Sequence, residues 1–247
     1  MGVIQNFWRS TIGKKIVMAV TGLIGVGFVI GHMVGNLQVF EGAEKINAYG
    51  RFLHHTVGTE LWLVRVVLLA AVILHVVAAV QLTRLKQAAR PEGYRNQKPQ
   101  VSTFASRTIR WGGLLLLVFI VVHVLHFTVR AFPGYQALDR TGSVDVYANL
   151  ITAFRNPLWT LFYVVAMLAL ALHLYHGVWS SLRTLGQAKA SANPLRRPIA
   201  IAITAVVFAG FTIVPIAIFL GIVRPEAPSA AVAPAATAGA APAPTAR

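Results

Sequence analysis

Four of the five long apolar stretches in this 247-residue chain contain histidine: His32 in the first, His75 in the second, His123 with His126 in the third, and His173 with His176 in the fourth. An ionisable side chain inside a membrane span is costly, so it faces a bundle interior and has a partner there. Neutral imidazole offers three kinds of chemistry in that setting: a helix-packing hydrogen bond, a step in a proton relay, or a ligand to a metal. Which one applies depends on where the helices place these rings.

The first stretch, 16–40, is uncharged over 25 residues, enough at ~1.5 Å per residue to cross a hydrocarbon core of roughly 30 Å. Lys14 and Lys15 precede it, and the positive-inside bias then puts the amino terminus in the cytoplasm. Further spans are expected at 61–82, 111–129, 157–182 and 198–223. The fold class is therefore an all-α membrane protein of five transmembrane helices, with residues 1–223 as one domain. Residues 224–247 are Ala/Pro-rich low-complexity sequence, expected to be a disordered outer tail. The first span is too long for the apolar core of a signal peptide and lacks a cleavage site behind it, so it is expected to be retained.

The charges test this topology. The inner segments, chiefly the loop 83–110, hold fourteen basic residues and one acid, whereas the outer segments hold eight and six. The net charge of +15 thus reads as topology, and no nucleic-acid partner is expected. Trp8, Trp62, Trp111, Trp159 and Trp179 fall at span ends, as interfacial belts do. Two outer connections carry helical periodicity: Ile46, Tyr49, Phe52 and Leu53 in 41–60, and Val144, Tyr147, Leu150, Ile151 and Phe154 in a helix that Ser143 is placed to cap. Gly27, Gly31 and Gly35 recur every four residues along the first span, leaving a stripe where a helix or a flat macrocycle can approach closely.

Depth then sorts the histidines. Counted from the nearest inner-face charge at ~1.5 Å per residue, His75 and His173 lie roughly 14–15 Å above the inner face, and His32 and His123 roughly 20–25 Å. These are two pairs at two depths, each pair from helices that run in the same direction. His126 and His176 stand at i+3 from His123 and His173, on nearly the same helix face, so one histidine of each doublet is the ligand; depth favours His123 and His173. Two bis-histidine sites stacked across a bilayer suit transmembrane electron transfer through b-type haem, since two axial imidazoles leave no open position for substrate. The absence of cysteine excludes thiolate-held clusters and covalent haem attachment. Zinc is the weaker rival, because the spans contain no carboxylate. The second histidine of each doublet, and Arg130 seven residues beyond His123, are candidates to hold haem propionates.

Read together, His32 in GHMVGN, the stretch INAYGRFLHH, His75 in VILHVVAAVQL followed by AARPEGY, His123 in VVHVLHFTVR and His173 in LHLYHGVWSSLRTLG resemble the dihaem cytochrome b anchor subunit of succinate:quinone oxidoreductases, over about residues 5–223. The resemblance implies two b haems between helices one to four, the one nearer the cytoplasm on His75 and His173 and the one nearer the outer face on His32 and His123. It implies an FAD flavoprotein and an iron–sulfur subunit docked on the cytoplasmic side, membrane lipid and a quinone (menaquinone being the expected one), and residence in a bacterial cytoplasmic membrane with the amino terminus in and the carboxyl terminus out. Succinate oxidation itself would belong to the flavoprotein. For quinone protonation the outer connection offers His54, His55, Arg51 and Glu60. The alternatives are a dihaem subunit of another quinone-linked complex, such as a fumarate reductase, hydrogenase or formate dehydrogenase, and a haem-free transporter.

Overall fold

The computed structural model describes residues 2–89, 103–139, 141–186 and 195–226. Among them no strand forms, and the one extended feature is an isolated antiparallel bridge between Leu138 and Val144. A short head helix α1 (Val3–Arg9) precedes α2 (Thr11–Leu37), which tightens into a 3₁₀ turn at Gln38–Glu41. Then come α3 (Ala43–Arg51), a π turn at Phe52–Thr56, α4 (Gly58–Ala88), α5 (Phe104–His123) with a π turn at Val124–Thr128, α6 (Val146–Phe154), α7 (Pro157–Thr184) and α8 (Arg196–Phe219).

Local chemistry sets the helix starts. Ser10 caps α2 by accepting from the Gly13 amide, and the Lys14 ammonium, buried at the joint, donates to the Trp8 and Arg9 carbonyls that end α1. Asn156 caps α7 ahead of Pro157, whose missing N–H costs nothing at the first helical position. The cap of α6 is Asp145, accepting from the Ala148 amide at 2.9 Å, and not Ser143 as the sequence suggests. Ser143 instead gives its amide to Asp139 in the preceding turn, two residues ahead of the cap position.

Among the described residues, five helices are long and apolar enough to cross a membrane, with 24 to 31 residues and mean hydropathy between 1.9 and 2.7. They lie on the five expected spans but overrun most of them. α4 continues to Ala88 and α5 begins at Phe104, so much of the expected inner loop 83–110 is helix, since Lys, Arg and Gln extend a helix in water as readily as Leu does in lipid. Arg90, Glu92, Arg95 and Lys98 of that loop, Lys189, and the tail from residue 227 lie outside the described residues. α8 stops at Phe219, short of the expected 223, where Gly221 at φ 72° reverses the chain and the Ile222 amide closes on the Ala217 carbonyl.

α7 packs against α8, α5 and α2, and α2 packs in turn against α4 and α8. α4 has no comparable contact with α7, nor α2 with α5. Two clefts result, one between α4 and α7 and one between α2 and α5. The flanks of the bundle are apolar and exposed, as with Trp62, Leu63 and Leu69 on α4 and Trp111, Leu114 and Val118 on α5, the surface expected against lipid.

One end of the bundle is covered by a cap made of α3, residues 131–139 and 141–145, α6 and residues 220–226. Its core contains Ile46, Tyr147, Leu150, Ile151, Phe154 and Val223. Polar stitches tie it together: Asn47 donates to Asp145 at 3.0 Å, Arg51 donates to Asp139 at 2.6 Å, and the Tyr147 hydroxyl donates to the Arg224 carbonyl at 2.6 Å.

Candidate functional site

Each cleft is crossed by two histidine rings. Near the cap, His32 on α2 faces His123, the last residue of α5, with ring centroids 5.7 Å apart. Farther from it, His75 on α4 faces His173 on α7 at 6.1 Å. These are the two pairs that depth counting selects. Two imidazoles on opposite sides of one metal ion, each nitrogen at about 2 Å, put their ring centroids about 6 Å apart. Both pairs match that spacing.

The residues around the cap-distal pair prepare a lone pair. The Thr21 hydroxyl donates to the Val17 carbonyl at 2.7 Å and lies 3.2 Å from His75 Nδ1. Its one proton being used, it accepts from Nδ1–H and leaves His75 Nε2 unprotonated. Across the cleft, His173 Nδ1 is buried without a hydrogen-bond partner among the described residues. In the cap-proximal pair, Phe28 stacks on His32 at 5.4 Å and Phe119 on His123 at 5.6 Å, while Phe211 of α8 leans on His32 at 5.8 Å. The Tyr163 hydroxyl is 3.3 Å from His123 Nδ1. Asn36 donates to the His32 carbonyl at 2.8 Å and is 3.3 Å from His32 Nε2, a long contact that a metal on that nitrogen would displace.

A bis-imidazole pair alone cannot complete the shell of a bare zinc ion, and among the described residues no three His, Cys, Asp or Glu side chains converge. The pairs fit a metal whose other ligands come from a planar macrocycle. The glycines agree. Gly25, Gly112 and Gly177 stand seven, eleven and four residues from His32, His123 and His173, near whole turns of helix and so on the ligand faces. A Cβ on any of the three would meet nothing within 4 Å. At Gly22 it would come within 3.3 Å of the His75 ring. In the stripe singled out from sequence, Gly35 admits the Tyr49 ring, which a Cβ would approach to 2.7 Å, while at Gly27 and Gly31, as at Gly25, a Cβ would meet nothing within 4 Å among the described residues.

The second members of the doublets diverge. His176 Nδ1 is buried without a partner among the described residues. His126 is fully buried in an aromatic box, its ring 4.1 Å from Trp159, 4.3 Å from Phe127 and 4.3 Å from Tyr135, with Nδ1 3.2 Å from the Tyr163 hydroxyl. A π turn at Val124–Thr128 follows His123, yet both rings of the doublet still reach the same Tyr163 hydroxyl, at 3.3 and 3.2 Å, as a nearly common face predicts. Trp159, expected in an interfacial belt, is a wall of this box. Arg130 has left the helix altogether, at φ 58°, so its seven-residue phase with His123 no longer sets its direction.

The quinone candidates do not form one cluster. Arg51 is engaged with Asp139 at 2.6 Å and Glu44 at 3.0 Å. His54 and His55 are exposed on the π turn at Phe52–Thr56, and Glu60 is exposed in the first turn of α4. Partial burial, with the positive charges of Arg65, His55 and Arg130, pushes the His54 imidazole below its ordinary range. A groove of about 620 Å³ opens between α2 and α3, lined by Leu37, Gln38, Glu41, Lys45, Tyr49 and Phe52 and by none of the four candidates. Sequence reasoning missed this groove, although the helical spacing of Tyr49 and Phe52 marks one of its walls. It also missed Thr21 and Tyr163, which act across helices, and Asn36, which meets His32 on its own helix.

Over 194 residues, covering 78% of this chain and 88% of the other, the sequence is 25% identical to the succinate dehydrogenase cytochrome b558 subunit of Bacillus subtilis (strain 168). The chain is similar to that cytochrome b558 subunit. The likeness named from the histidine motifs is thus found independently, and it spans most of the cytochrome b558 subunit's length. No family model matches the chain, and no solved structure matches it.

Proposed function

We propose that this chain is the membrane cytochrome b subunit of a succinate:quinone oxidoreductase, holding two b haems and passing electrons between an iron–sulfur subunit and membrane quinone. The observation that carries the reading is the pair of facing imidazoles in each cleft, at 5.7 and 6.1 Å. His75 and His173 would hold one haem and His32 and His123 the other; bound haem supplies reversible one-electron chemistry. The chain's own residues do the rest. Thr21 fixes the His75 tautomer, Phe28 and Phe119 hold the cap-proximal rings by stacking, and the cap keeps that end of the bundle dry. His176 and Arg130 remain the candidates for haem carboxylates, while the aromatic box turns His126 to another use.

The positive-inside bias places the amino terminus and the His75–His173 pair toward the cytoplasm, where an FAD flavoprotein that oxidises succinate and an iron–sulfur subunit would dock. Residues 1–223 form the membrane domain of a bacterial cytoplasmic membrane protein, and the tail lies outside. Quinone, menaquinone in our reading, would exchange at the cap end. The groove at Glu41–Phe52 offers an apolar seat there, and His54, His55 and Glu60 offer proton exchange; Arg51 serves the cap.

Haem quantification with a reduced-minus-oxidised spectrum on the complex purified through this chain tests the proposal. Two b haems per chain, reduced by succinate, are expected. His75→Ala or His173→Ala should lower the ratio to one, and a wild-type chain without haem, or variants retaining both haems, would overturn the assignment.

A further inference from the structure

Tyr163 is buried in the middle of the cap-proximal site, and its hydroxyl stands between two imidazole nitrogens, 3.3 Å from His123 Nδ1 and 3.2 Å from His126 Nδ1. A phenol has one proton to give. It can therefore donate to one ring and must accept from the other. Two directions are open, and they differ in which nitrogen of His123 carries hydrogen.

If Tyr163 donated to His123, Nδ1 would be the bare nitrogen and Nε2 would be protonated, leaving no lone pair toward the cleft. A metal on His123 Nε2 excludes that arrangement. The chain must then run from His123 Nδ1–H to the Tyr163 oxygen, and from the Tyr163 hydroxyl to His126 Nδ1. His126 accordingly carries its proton on Nε2, the atom that has no hydrogen-bond partner among the described residues and lies among the rings of Trp159, Phe127, Phe132 and Tyr135. Those rings enclose His126, whose part in the site is to receive this bond.

We infer that Tyr163 is a positioning residue for the cap-proximal ligand, fixing the His123 tautomer and raising its basicity through a directional His123–Tyr163–His126 hydrogen-bond chain. The inference rests on the haem reading above. It assigns the second histidine of the 123/126 doublet a role that does not touch the haem. A ligand whose distal N–H is hydrogen-bonded donates more electron density and favours the oxidised metal, so removing the acceptor must raise the potential of that haem alone.

The test is redox potentiometry of both haems in the intact complex, with electron paramagnetic resonance of the oxidised low-spin signals, for wild type, Tyr163→Phe and His126→Leu. Tyr163→Phe keeps the ring and its packing against Phe119, Phe154 and Phe162 while removing the hydroxyl. The expected result is two haems retained, an upward shift and an altered g-tensor for the haem lost in His123→Ala, and an unmoved second haem. His126→Leu should shift the same haem in the same direction by less, because Tyr163 can still accept from His123. It serves as the readout if Tyr163→Phe does not assemble. An unmoved potential, equal shifts of both haems, or outright loss of one haem in Tyr163→Phe would overturn the inference while leaving the two-haem reading standing. A wild-type complex without haem would overturn the reading itself.

Discussion

A threonine hydroxyl decides which nitrogen of His75 faces the α4–α7 cleft, and this can be tested without moving a helix. Thr21→Val is close to isosteric and leaves Val17 and Gly22 in place, but His75 Nδ1 loses its acceptor. The imidazole can then turn or change tautomer, and losses of this kind typically cost about 10–100-fold in metal-site affinity. The expected outcome is partial loss of the cap-distal haem on dilution or washing in detergent, with the His32–His123 site retained; full and equal retention at both sites would show that Thr21 merely packs. Why the four paired histidines are legible in sequence and Thr21 and Tyr163 are not has a simple physical reason. A histidine in lipid is expensive and therefore conspicuous, and its depth follows from counting along one helix. A threonine satisfies itself on its own helix at i−4, and a tyrosine sits comfortably among aromatics, so neither stands out until a second helix brings a ring against it.

The five membrane helices are likewise legible because hydropathy is a property of one segment. Their ends are not, since basic and polar residues prolong a helix beyond the lipid, as at Ala88 and Phe104. The π turns at Phe52–Thr56 and Val124–Thr128 leave no mark in residue periodicity. The cap shows the same limit: the amphipathic helix 146–154 can be read from its apolar spacing, but its joint to α3 cannot, because the bonds span nearly a hundred residues. At that joint Asp139 accepts from Arg51, from the Thr141 hydroxyl and amide, and from the Ser143 amide. Partial burial works to raise the Asp139 carboxyl, yet the bonds from Thr141, Arg51 and Ser143 prevail and hold it down to about 2. A carboxyl depressed below its unfolded value of about 3.9 contributes stability above that pH. The contribution is lost as pH falls toward the folded value of about 2, while Glu44, the other acid on Arg51, lies exposed at 3.0 Å. Asp139→Asn should therefore uncouple the turn from α3 already at neutral pH, seen as faster hydrogen exchange at the Thr141 and Ser143 amides; unchanged protection would place the strength of the joint elsewhere, in Asn47 and Asp145.

For the molecule as a whole, the arrangement of two sites at different depths matters only once the bundle has a direction. In the proposed function, electrons from a partner on the cytoplasmic side would meet the His75–His173 pair first and the His32–His123 pair, under the cap, second. The bundle's contacts do not supply that direction, because lipid is the same on both sides; the asymmetry of charge does. In the topology expected from the sequence, fourteen basic residues and one acid belong with Lys14 and Lys15 against eight and six on the other side, and the proposed orientation keeps the more positive side in the cytoplasm. The chain has no cysteine of its own, so single cysteines report topology without background. A cysteine in place of exposed Thr141 in the cap turn should react with a membrane-impermeant maleimide in intact cells, and one in place of exposed Gln5 on α1 only after the membrane is opened. The reverse pattern would invert the bundle, put the groove at Glu41–Phe52 on the cytoplasmic side, and make the pair beside Tyr163 the first to receive electrons from soluble partners.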